Sequence, residues 1–314
     1  EVRNMDSLNA FTGVVRRCVD DYGMISPGDR IAVGISGGKD SLVLLASLAY
    51  LRRYYPAPFE LEGITIDTGF PGMDFSGVEK MCEELGVPYT RVPTDIREIV
   101  FDARQEENPC SLCSKMRRGA LNTTMKEHGC NKLALGHHFD DAVETFMMSL
   151  MFEGRLNCFK PVTYMSRADV TQIRPLLYIG EQRSANLAKQ LELPVVKSTC
   201  PMDHTSKRQE IKDLLTTLSA QYPDVRSKVF GAMQRLPLDG WGPAPHERVR
   251  PRVRWSASTS FSTPQSHLQC QRTGFAPCTL ATTVSSPKRC PVRSFSLATA
   301  HSLRFPLPDF QRLA

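Results

Sequence analysis

The chain has 314 residues, a formal net charge of +6 and ten cysteines. This length allows one large α/β domain or two smaller ones, and no stretch approaches the roughly 18 consecutive apolar residues of a membrane-spanning helix. The first residues, EVRNMDSLNAF, lack the apolar core of a signal peptide, so we expect a cytoplasmic protein without a membrane partner. Cysteines in such a protein are better explained as metal ligands or reactive thiols than as disulfides.

The basic charge is concentrated near the C-terminus. Residues 241–314 carry ten Lys and Arg against two acidic residues, which leaves 29 basic and 31 acidic residues in 1–240. Bulk charge therefore gives no argument for nucleic-acid binding, and any basic surface on the body must be local. The last segment is also rich in Ser, Thr and Pro and has no sustained periodicity. We predict a folded domain over 1–240 and a low-complexity basic tail over 241–314, either disordered or not native in sequence.

Residues 1–240 alternate between helical and strand patterns, as α/β proteins do. The patterns predict strands at 31–35, 61–66, 88–92, 132–135, 172–173 and 195–196. They predict helices at about 6–22, 40–54, 77–85, 115–128, 140–152, from 181, at 206–220 and at 222–236. Ser206 and Gln209 have the spacing of a capping box at the start of one of these helices. The alternation predicts a doubly wound parallel sheet of Rossmann-like type.

A glycine-rich turn lies between the first predicted strand and its helix. It reads Ser36-Gly37-Gly38-Lys39-Asp40-Ser41. Glycines let the backbone approach an oxyanion, the N–H groups of the helix N-terminus point at it, and Lys39 adds a positive charge. The spacing fits neither the mononucleotide loop nor the dinucleotide fingerprint. The alternative is a simple turn with a solvated Lys-Asp pair.

A second polar motif follows the strand at 132–135. The residues Leu135-Gly136-His137-His138-Phe139-Asp140-Asp141 lie on the same predicted edge of the sheet as the glycine turn. Carboxylates there could hold Mg²⁺ on phosphates, and imidazoles could donate hydrogen bonds to them. The two aspartates could equally be helix caps. Asp67, at the end of the second strand, has the same two interpretations.

Three cysteines form a candidate metal site. Cys110 and Cys113 are spaced C-x-x-C, and Cys200 follows the strand predicted at 195–196, so the topology can bring the three together beside the nucleotide. A closed zinc site needs a fourth ligand, for which His204 is the nearby candidate. Three cysteines suit an iron–sulfur cubane better, since it leaves one iron without a protein ligand. A structural zinc knuckle remains the alternative, and Cys18, Cys82, Cys130 and Cys158 are interpreted as core residues.

These motifs together resemble one family. SGGKDS, ENPCSLCSKMRRGAL, LGHHFDDAVET, IRPL and a single Cys followed by KRQEI occur in the order found in the tRNA 2-thiocytidine synthetases, over about residues 8–236. SGGKDS itself is similar to the pyrophosphatase loop (PP-loop) of enzymes that cleave ATP between its α and β phosphates. Around the last cysteine the chain lacks the second nearby Cys that is usual in that family.

The resemblance implies an adenine nucleotide α-hydrolase fold that uses ATP, Mg²⁺ and a [4Fe-4S] cluster. It implies that a tRNA cytidine is adenylated and its C2 oxygen then replaced by sulfur. Lys39, Asp141 and Cys200 would be catalytic, and Cys110, Cys113 and Cys200 would hold the cluster. Nucleotide binding is assigned to residues 36–41 together with Asp67, His138, Asp141 and Arg174. The partners would be tRNA and a sulfur donor such as a cysteine desulfurase, with a homodimer left open.

Other functions compete with this one. A tRNA lysidine synthetase also adenylates a cytidine but needs no thiols, and a 2-thiouridine synthetase normally carries extra zinc knuckles. A non-catalytic nucleotide-binding or metal-sensing module is a different class altogether. If tRNA is the substrate, the candidates for docking it are Arg117, Arg118, Lys207 and Arg208.

Overall fold

The structure, a computed structural model, describes residues 2–104, 109–202, 207–235 and 238–243. These residues are built around a six-stranded sheet with strand order β3-β2-β1-β4-β6-β5. All neighbouring strands are parallel except β5, which pairs antiparallel with β6 at one edge. The strands are β1 Asp29–Gly34, β2 Phe59–Asp67, β3 Tyr89–Pro93, β4 Lys132–Ala134, β5 Val162–Met165 and β6 Val170–Ile173.

Helices cover both faces of this sheet. They are α1 Val2–Asp21, α2 Lys39–Leu51, α3 Ser76–Glu84, α4 Pro109–Glu127, α5 Phe139–Glu153, α6 Glu181–Gln190, α7 Lys207–Gln221 and α8 Val225–Arg235. Because side chains alternate along a strand, Ile31 and Val33 of β1 belong to one apolar core and Ala32 to the other. The doubly wound α/β fold predicted from the sequence is confirmed. None of the described helices is long and apolar enough to cross a membrane.

Strand order reverses between β1 and β4, which lie side by side in the sheet. In open α/β sheets the crevice at such a switch point, beyond the carboxyl ends of the strands, is where ligands bind. The loop after β1 leads into α2, and the loop after β4 leads into α5. Both polar motifs found in the sequence therefore begin at this crevice.

Several predicted elements differ from the observed ones. Strand β6 was predicted only in part, at 172–173, whereas β5 and a short π-helical segment, Glu98–Ala103, were not predicted. Val195 and Val196 do not form a strand, although the N–H of Val196 donates to the carbonyl of Gly37 at 2.9 Å. Helix α4 begins at Pro109, so the C-x-x-C pair lies in its first turn rather than in a preceding loop.

Two boundaries also need comment. Ser206, predicted to cap α7, lies outside the described residues, and α7 begins at Lys207. Trp241, which composition assigned to the tail, is fully buried and packs edge-on against Phe230 with 5.3 Å between ring centroids. The core therefore extends past the predicted boundary at Gly240, and the tail beyond Pro243 lies outside the described residues.

Candidate active site

The glycine-rich loop has the geometry of an anion site. Gly37 adopts φ 82°, and a Cβ built on it would lie 2.8 Å from the Cβ of Val196, so the position has no room for a larger residue. Ser41 Oγ accepts from the N–H of Ser36 at 3.2 Å and donates to the carbonyl of Gly38 at 2.8 Å, which closes the loop. No described side chain caps the start of α2. The N–H of Ser41 donates to the carbonyl of Gly38 at 3.1 Å, whereas those of Lys39 and Asp40 remain available to a bound anion.

Lys39 lies at the start of α2 between two carboxylates. Its Nζ is 3.0 Å from Asp40 Oδ2 and 3.4 Å from Glu181 Oε1. Burial lowers the pKa of Lys39, but the hydrogen bond and charge of Asp40 and the charge of Glu181 outweigh it, and the net shift is upward. The ammonium group of Lys39 therefore stays charged, and its ion pair with Glu181 of α6 fixes its position. Lys212 binds the other oxygen of Glu181 at 2.7 Å.

The carboxylates of Asp40 and Asp140 already have partners. Ser184 donates to Asp40 Oδ1 at 2.6 Å. Arg226 donates to Asp140 Oδ1 at 2.9 Å, and the N–H of Glu181 donates to Asp140 Oδ2 at 2.8 Å. These bonds tie α6 and α8 to the starts of α2 and α5, so both aspartates brace the loops around the crevice.

His138 and Asp141 form the N-terminal cap of α5. The N–H of His138 donates to Asp141 Oδ2 at 2.9 Å, and the N–H of Asp141 donates to His138 Nδ1 at 3.3 Å. This reciprocal pair is a capping box. The other oxygen of Asp141 accepts from Arg208 Nη1 at 3.2 Å, so Arg208 of α7 holds this carboxylate. The helix-cap interpretation, made for Asp140 and Asp141, therefore describes Asp141 in this structure, with His138 as its capping partner.

A cavity of about 380 Å³ opens beside the loop. Its walls are the loop, the carboxyl ends of β2, β4 and β6, and one side of α4. Polar residues of that lining are Ser36, Asp40, Ser41, Ser114, Arg117, Arg118, His137 and Gln172. His137, and not His138, is the histidine of the motif that lines it. The sequence analysis missed His137 and Gln172 as cavity residues.

Asp67 and Arg174 lie outside this lining. Asp67, at the end of β2, accepts from Arg91 Nε at 3.0 Å and from the N–H of Gly69 at 3.0 Å. Arg174 is buried after β6, where it donates to the carbonyl of Lys160 at 2.5 Å and to Gln172 Oε1 at 3.3 Å. Burial lowers the pKa of Arg174 to about 10, which leaves it charged at neutral pH. The loop residues thus meet at the cavity, whereas Asp67 and Arg174 are not part of its lining.

The three cysteines line one cavity of about 220 Å³. Cys110 and Cys113 come from the first turn of α4, and Cys200 comes from the segment after Val196. Burial raises the pKa of Cys113; the charge of Arg117 opposes this shift, while Cys200 and Cys110 add to it. Arg117 also lines this cavity, as a cation that favours thiolates should. The convergence of the three thiols is therefore present in the fold.

The arrangement of the three cysteines fits a cubane cluster better than a single metal ion. Among the described residues, no three His, Cys, Asp or Glu side chains are grouped to hold one metal ion. His204, the predicted fourth zinc ligand, lies outside the described residues. Three thiols spread around a cavity fit a cubane, whose corners need separated ligands, better than they fit one ion. Cys18, Cys82 and Cys130 are buried elsewhere, as expected of core residues.

The two cavities adjoin each other. Ser114 and Arg117 of α4 line both the loop cavity and the cysteine cavity. Of the residues predicted to dock RNA, Arg117 and Arg118 line the loop cavity. Lys207 pairs with Glu210 at 2.9 Å, and Arg208 binds Asp141 and Glu144. Of these four candidates, the two arginines of α4 are therefore the ones that line the loop cavity.

A glycine loop at the switch point of a parallel sheet, joined to a thiol-lined cavity, defines a nucleotide-binding α/β protein of the PP-loop class. The PP-loop domain family matches residues 12–218. The tRNA-cytidine(32) 2-sulfurtransferase of Pelobacter propionicus is 38% identical over 239 residues, which cover 75% of this chain and 89% of that protein. That of Geobacter sulfurreducens is 40% identical over 222 residues, 70% of this chain and 86% of the relative.

A solved structure shows the same architecture. The U34-tRNA thiolase NcsA from Methanococcus maripaludis, with its [4Fe-4S] cluster, is 30% identical with a TM-score of 0.61 over 74% of this chain and 79% of that one. The chain belongs to the PP-loop family and, within it, to the family of tRNA-cytidine(32) 2-sulfurtransferases. The predicted family and the prediction of an enzyme are both confirmed.

Proposed function

We propose that this enzyme uses ATP to adenylate a tRNA cytidine at its C2 oxygen and then replaces that oxygen with sulfur in the cytoplasm. The observation that carries the proposal is the shared wall of the two cavities. Ser114 and Arg117 line both, so an activated base beside the PP-loop would lie next to the thiols. The relatives are named as sulfurtransferases of tRNA cytidine, which supports a tRNA cytidine as the substrate.

The first half-reaction concerns the leaving group. A C2 oxygen is expelled poorly, so direct displacement by sulfide is slow. Attack of this oxygen on the α-phosphorus of ATP forms an O–P bond, breaks the α–β bond and releases pyrophosphate. Negative charge develops on the phosphates during this step. Lys39 and the N–H groups at the start of α2 would stabilise it.

The second half-reaction replaces oxygen with sulfur. A sulfide sulfur attacks C2 of the adenylated base, the C2–O bond breaks and AMP leaves. Cys110, Cys113 and Cys200 would hold a [4Fe-4S] cluster, and when bound this cluster would supply the sulfur chemistry. Arg117 lies between the cavities, where its charge favours both thiolate and phosphate. A cysteine desulfurase, together with a thiol reductant that brings its persulfide sulfur to the sulfide level, would be a suitable external donor of sulfur.

Mg²⁺ is assigned to the phosphates of the nucleotide rather than to a preformed protein site. Asp40 holds Ser184 and Lys39, and Asp141 holds Arg208 and the N–H of His138. Either carboxylate would have to exchange a present partner to coordinate the ion. The nucleotide phosphates supply oxygen ligands of the kind that Mg²⁺ prefers.

A second candidate is thiolation of a uridine, which the likeness to the U34-tRNA thiolase favours. The test uses the protein loaded with its cluster without oxygen, together with ATP, Mg²⁺, sulfide, lysine and unmodified tRNA. Mass spectrometry of the digested tRNA should show 2-thiocytidine, and AMP should form in proportion to it. A 2-thiouridine product would support the second candidate instead, and lysidine would support the lysine-adding synthetase. AMP formation without any modified nucleoside would contradict sulfur transfer.

A further inference from the structure

Gln172 is a buried polar residue in the wall of the loop cavity. It lies on β6, is 5% exposed, and follows the fully buried Val170 by two residues on the same face of the sheet. A buried amide costs free energy unless its hydrogen-bonding groups are satisfied. Gln172 Nε2 is buried and has no hydrogen-bond partner among the described residues. The side chain thus carries an unused donor at a ligand cavity.

Arg174 fixes the direction of this amide. Its Nη2 donates to Gln172 Oε1 at 3.3 Å. Because a guanidinium has only donors, the amide oxygen must face Arg174 and the NH₂ group must face away from it. Gln172 lines the cavity and Arg174 does not. The NH₂ group therefore faces away from Arg174, on a residue of the cavity wall, and a ligand reaches its buried nitrogen only if the atoms that cover it move aside.

Arg174 is itself held from three directions. Besides the carbonyl of Lys160, it binds Thr163 Oγ1 at 3.2 Å, and its guanidinium carbon lies 4.9 Å from the centre of the Phe159 ring. These contacts come from the residues leading into β5 and from β5 itself. A residue fixed in this way cannot follow a rotation of the glutamine amide. This arrangement suits a positioning role.

We propose that Gln172 Nε2 donates a hydrogen bond to an acceptor atom of a nucleobase in the loop cavity, with Arg174 as its positioning residue. The inference rests on the proposed function, in which two bases approach this cavity: the adenine of ATP and the target base of the tRNA. Both carry ring-nitrogen acceptors. Ile64, Ile66 and Leu133 give the cavity apolar walls that suit a flat base. His137, which stacks on Phe159, adds a second buried atom without a described partner, Nδ1.

The decisive variant is Gln172→Glu. A glutamate keeps the size of the side chain and the acceptor that faces Arg174, but it replaces the donor with an acceptor. A purely structural role predicts an unchanged or higher melting temperature and unchanged binding. A base-reading role predicts the same stability with about ten- to a hundredfold weaker binding, as expected when a buried acceptor of the ligand loses its donor.

Two binding measurements distinguish the bases. Calorimetry gives the Kd of ATP without tRNA, and filter binding gives the Kd of tRNA with a non-hydrolysable ATP analogue. Weaker ATP binding assigns Gln172 to adenine, and weaker tRNA binding alone assigns it to the target base. Neither measurement needs turnover, so a failure of the proposed thiolation would not be mistaken for a failure here. Unchanged values in both would overturn the proposal.

Further variants guard against trivial effects. Gln190→Glu places the same charge on an exposed glutamine of α6 and should leave both Kd values unchanged. Gln172→Met, which has similar length, no donor and no charge, separates loss of the donor from repulsion between a new carboxylate and the phosphates; it should show the same loss, and it also serves if Gln172→Glu fails to fold. Arg174→Met should weaken the Kd that Gln172→Glu weakens, because the amide then lacks the donor that fixes its direction. Arg174→Lys, which retains a donor for Gln172, should recover part of that affinity. Equal losses in both Arg174 variants would contradict the positioning role.

Discussion

The N–H of Val196 donates to the carbonyl oxygen of Gly37 at 2.9 Å. This bond joins the PP-loop to the segment that leads, four residues later, to Cys200. Thr199 reinforces the same segment through a hydrogen bond of 3.0 Å to the carbonyl of Pro71. A backbone hydrogen bond therefore connects the PP-loop to the segment that carries Cys200. We expect a substitution at Gly37 to affect both the nucleotide cavity and the cysteine cavity.

Gly37→Ala should disable the loop. The substitution costs about 1–2 kcal/mol for a left-handed conformation, and its Cβ would lie 2.8 Å from that of Val196. We expect the Kd of ATP to rise by more than about tenfold, since a few kcal/mol of loop distortion exceeds the 1.4 kcal/mol of one decade. Calorimetry with ATP measures this directly.

Gly28→Ala is the matched control. Gly28 has the same φ of 82°, but a Cβ on it would meet nothing within 4 Å. It therefore incurs the conformational cost without the contact to Val196, at a site away from the loop. We expect a modest loss of stability and an unchanged Kd for ATP. Equal effects of the two substitutions on ATP binding would show that the clash with Val196 is unimportant.

The cysteine cavity should hold iron and sulfide after reconstitution without oxygen. Cys110→Ala, Cys113→Ala and Cys200→Ala should each lose the brown chromophore, because each removes one of three thiolates around the cavity. Cys158→Ala is the control, since Cys158 donates to the carbonyl of Ala142 at 3.4 Å and is no part of the cavity lining. Iron and sulfide analysis measures the result. Stoichiometric zinc without iron would support the structural knuckle instead.

Lys39→Ala should remove AMP transfer while the cluster content stays constant. Loss of a charge aimed at developing phosphate charge typically costs about 10²–10³ in rate. Lys212→Ala is the control, because Lys212 also binds Glu181, at 2.7 Å from Oε2, but is not part of the loop. It removes a positive charge next to Glu181 without removing one from the loop. Pyrophosphate release with tRNA measures both. A comparable loss in the two variants would indicate that Lys39 acts only through Glu181.

His137 should make the fold sensitive to acid. Burial lowers its pKa from 6.5 to about 4, helped by the charges of Arg174, Arg208 and His138 and opposed by Asp141. Between these values the unfolded chain takes up a proton that the folded protein does not, so stability falls as the pH drops from 6.5 toward 4. In His137→Phe, which can still stack on Phe159, the fall should be smaller by an amount on the order of 1–3 kcal/mol. Urea unfolding across this range measures it, and equal pH slopes would contradict it.

The sequence was sufficient to predict the parallel sheet and the PP-loop because both depend on local patterns. Apolar runs followed by polar turns marked β1, β2 and β4, and the glycines marked the loop. Strand β5 was missed and β6 was predicted only at 172–173, because each strand has four residues, too few to show alternation. The segment 195–196 has strand composition, yet its backbone bonds to the loop at Gly37 instead of to a strand.

The site residues also differ in whether a local sequence pattern predicts them. The convergence of the three cysteines was predicted from the C-x-x-C spacing and from a strand at 195–196. They do line one cavity, but residues 195–196 form no strand, and the bond from Val196 to Gly37 holds the segment that leads to Cys200 instead. Whether a polar side chain faces the cavity depends on packing that no local pattern contains. Thus His138 caps α5 while its neighbour His137 lines the cavity, and Gln172 lines it while Arg174 supports Gln172 from behind. A lone glutamine between Val170 and Ile173 was the one available signal for such a position.

Trp241 gives a final test of where the domain ends. It is fully buried against Phe230, and its indole N–H donates to the carbonyl of Phe159 at 3.1 Å. A chain that ends at Gly240 should therefore be less stable than one that ends at Pro243, by about the 3–5 kcal/mol of removing a buried Trp. The chain ending at Pro243 should match the full-length protein, as the composition of the remaining residues predicts. Urea unfolding of all three compares them, with Trp241→Phe in the full chain expected to lie between. Equal midpoints for the two shortened chains would show that Trp241 contributes nothing to the core.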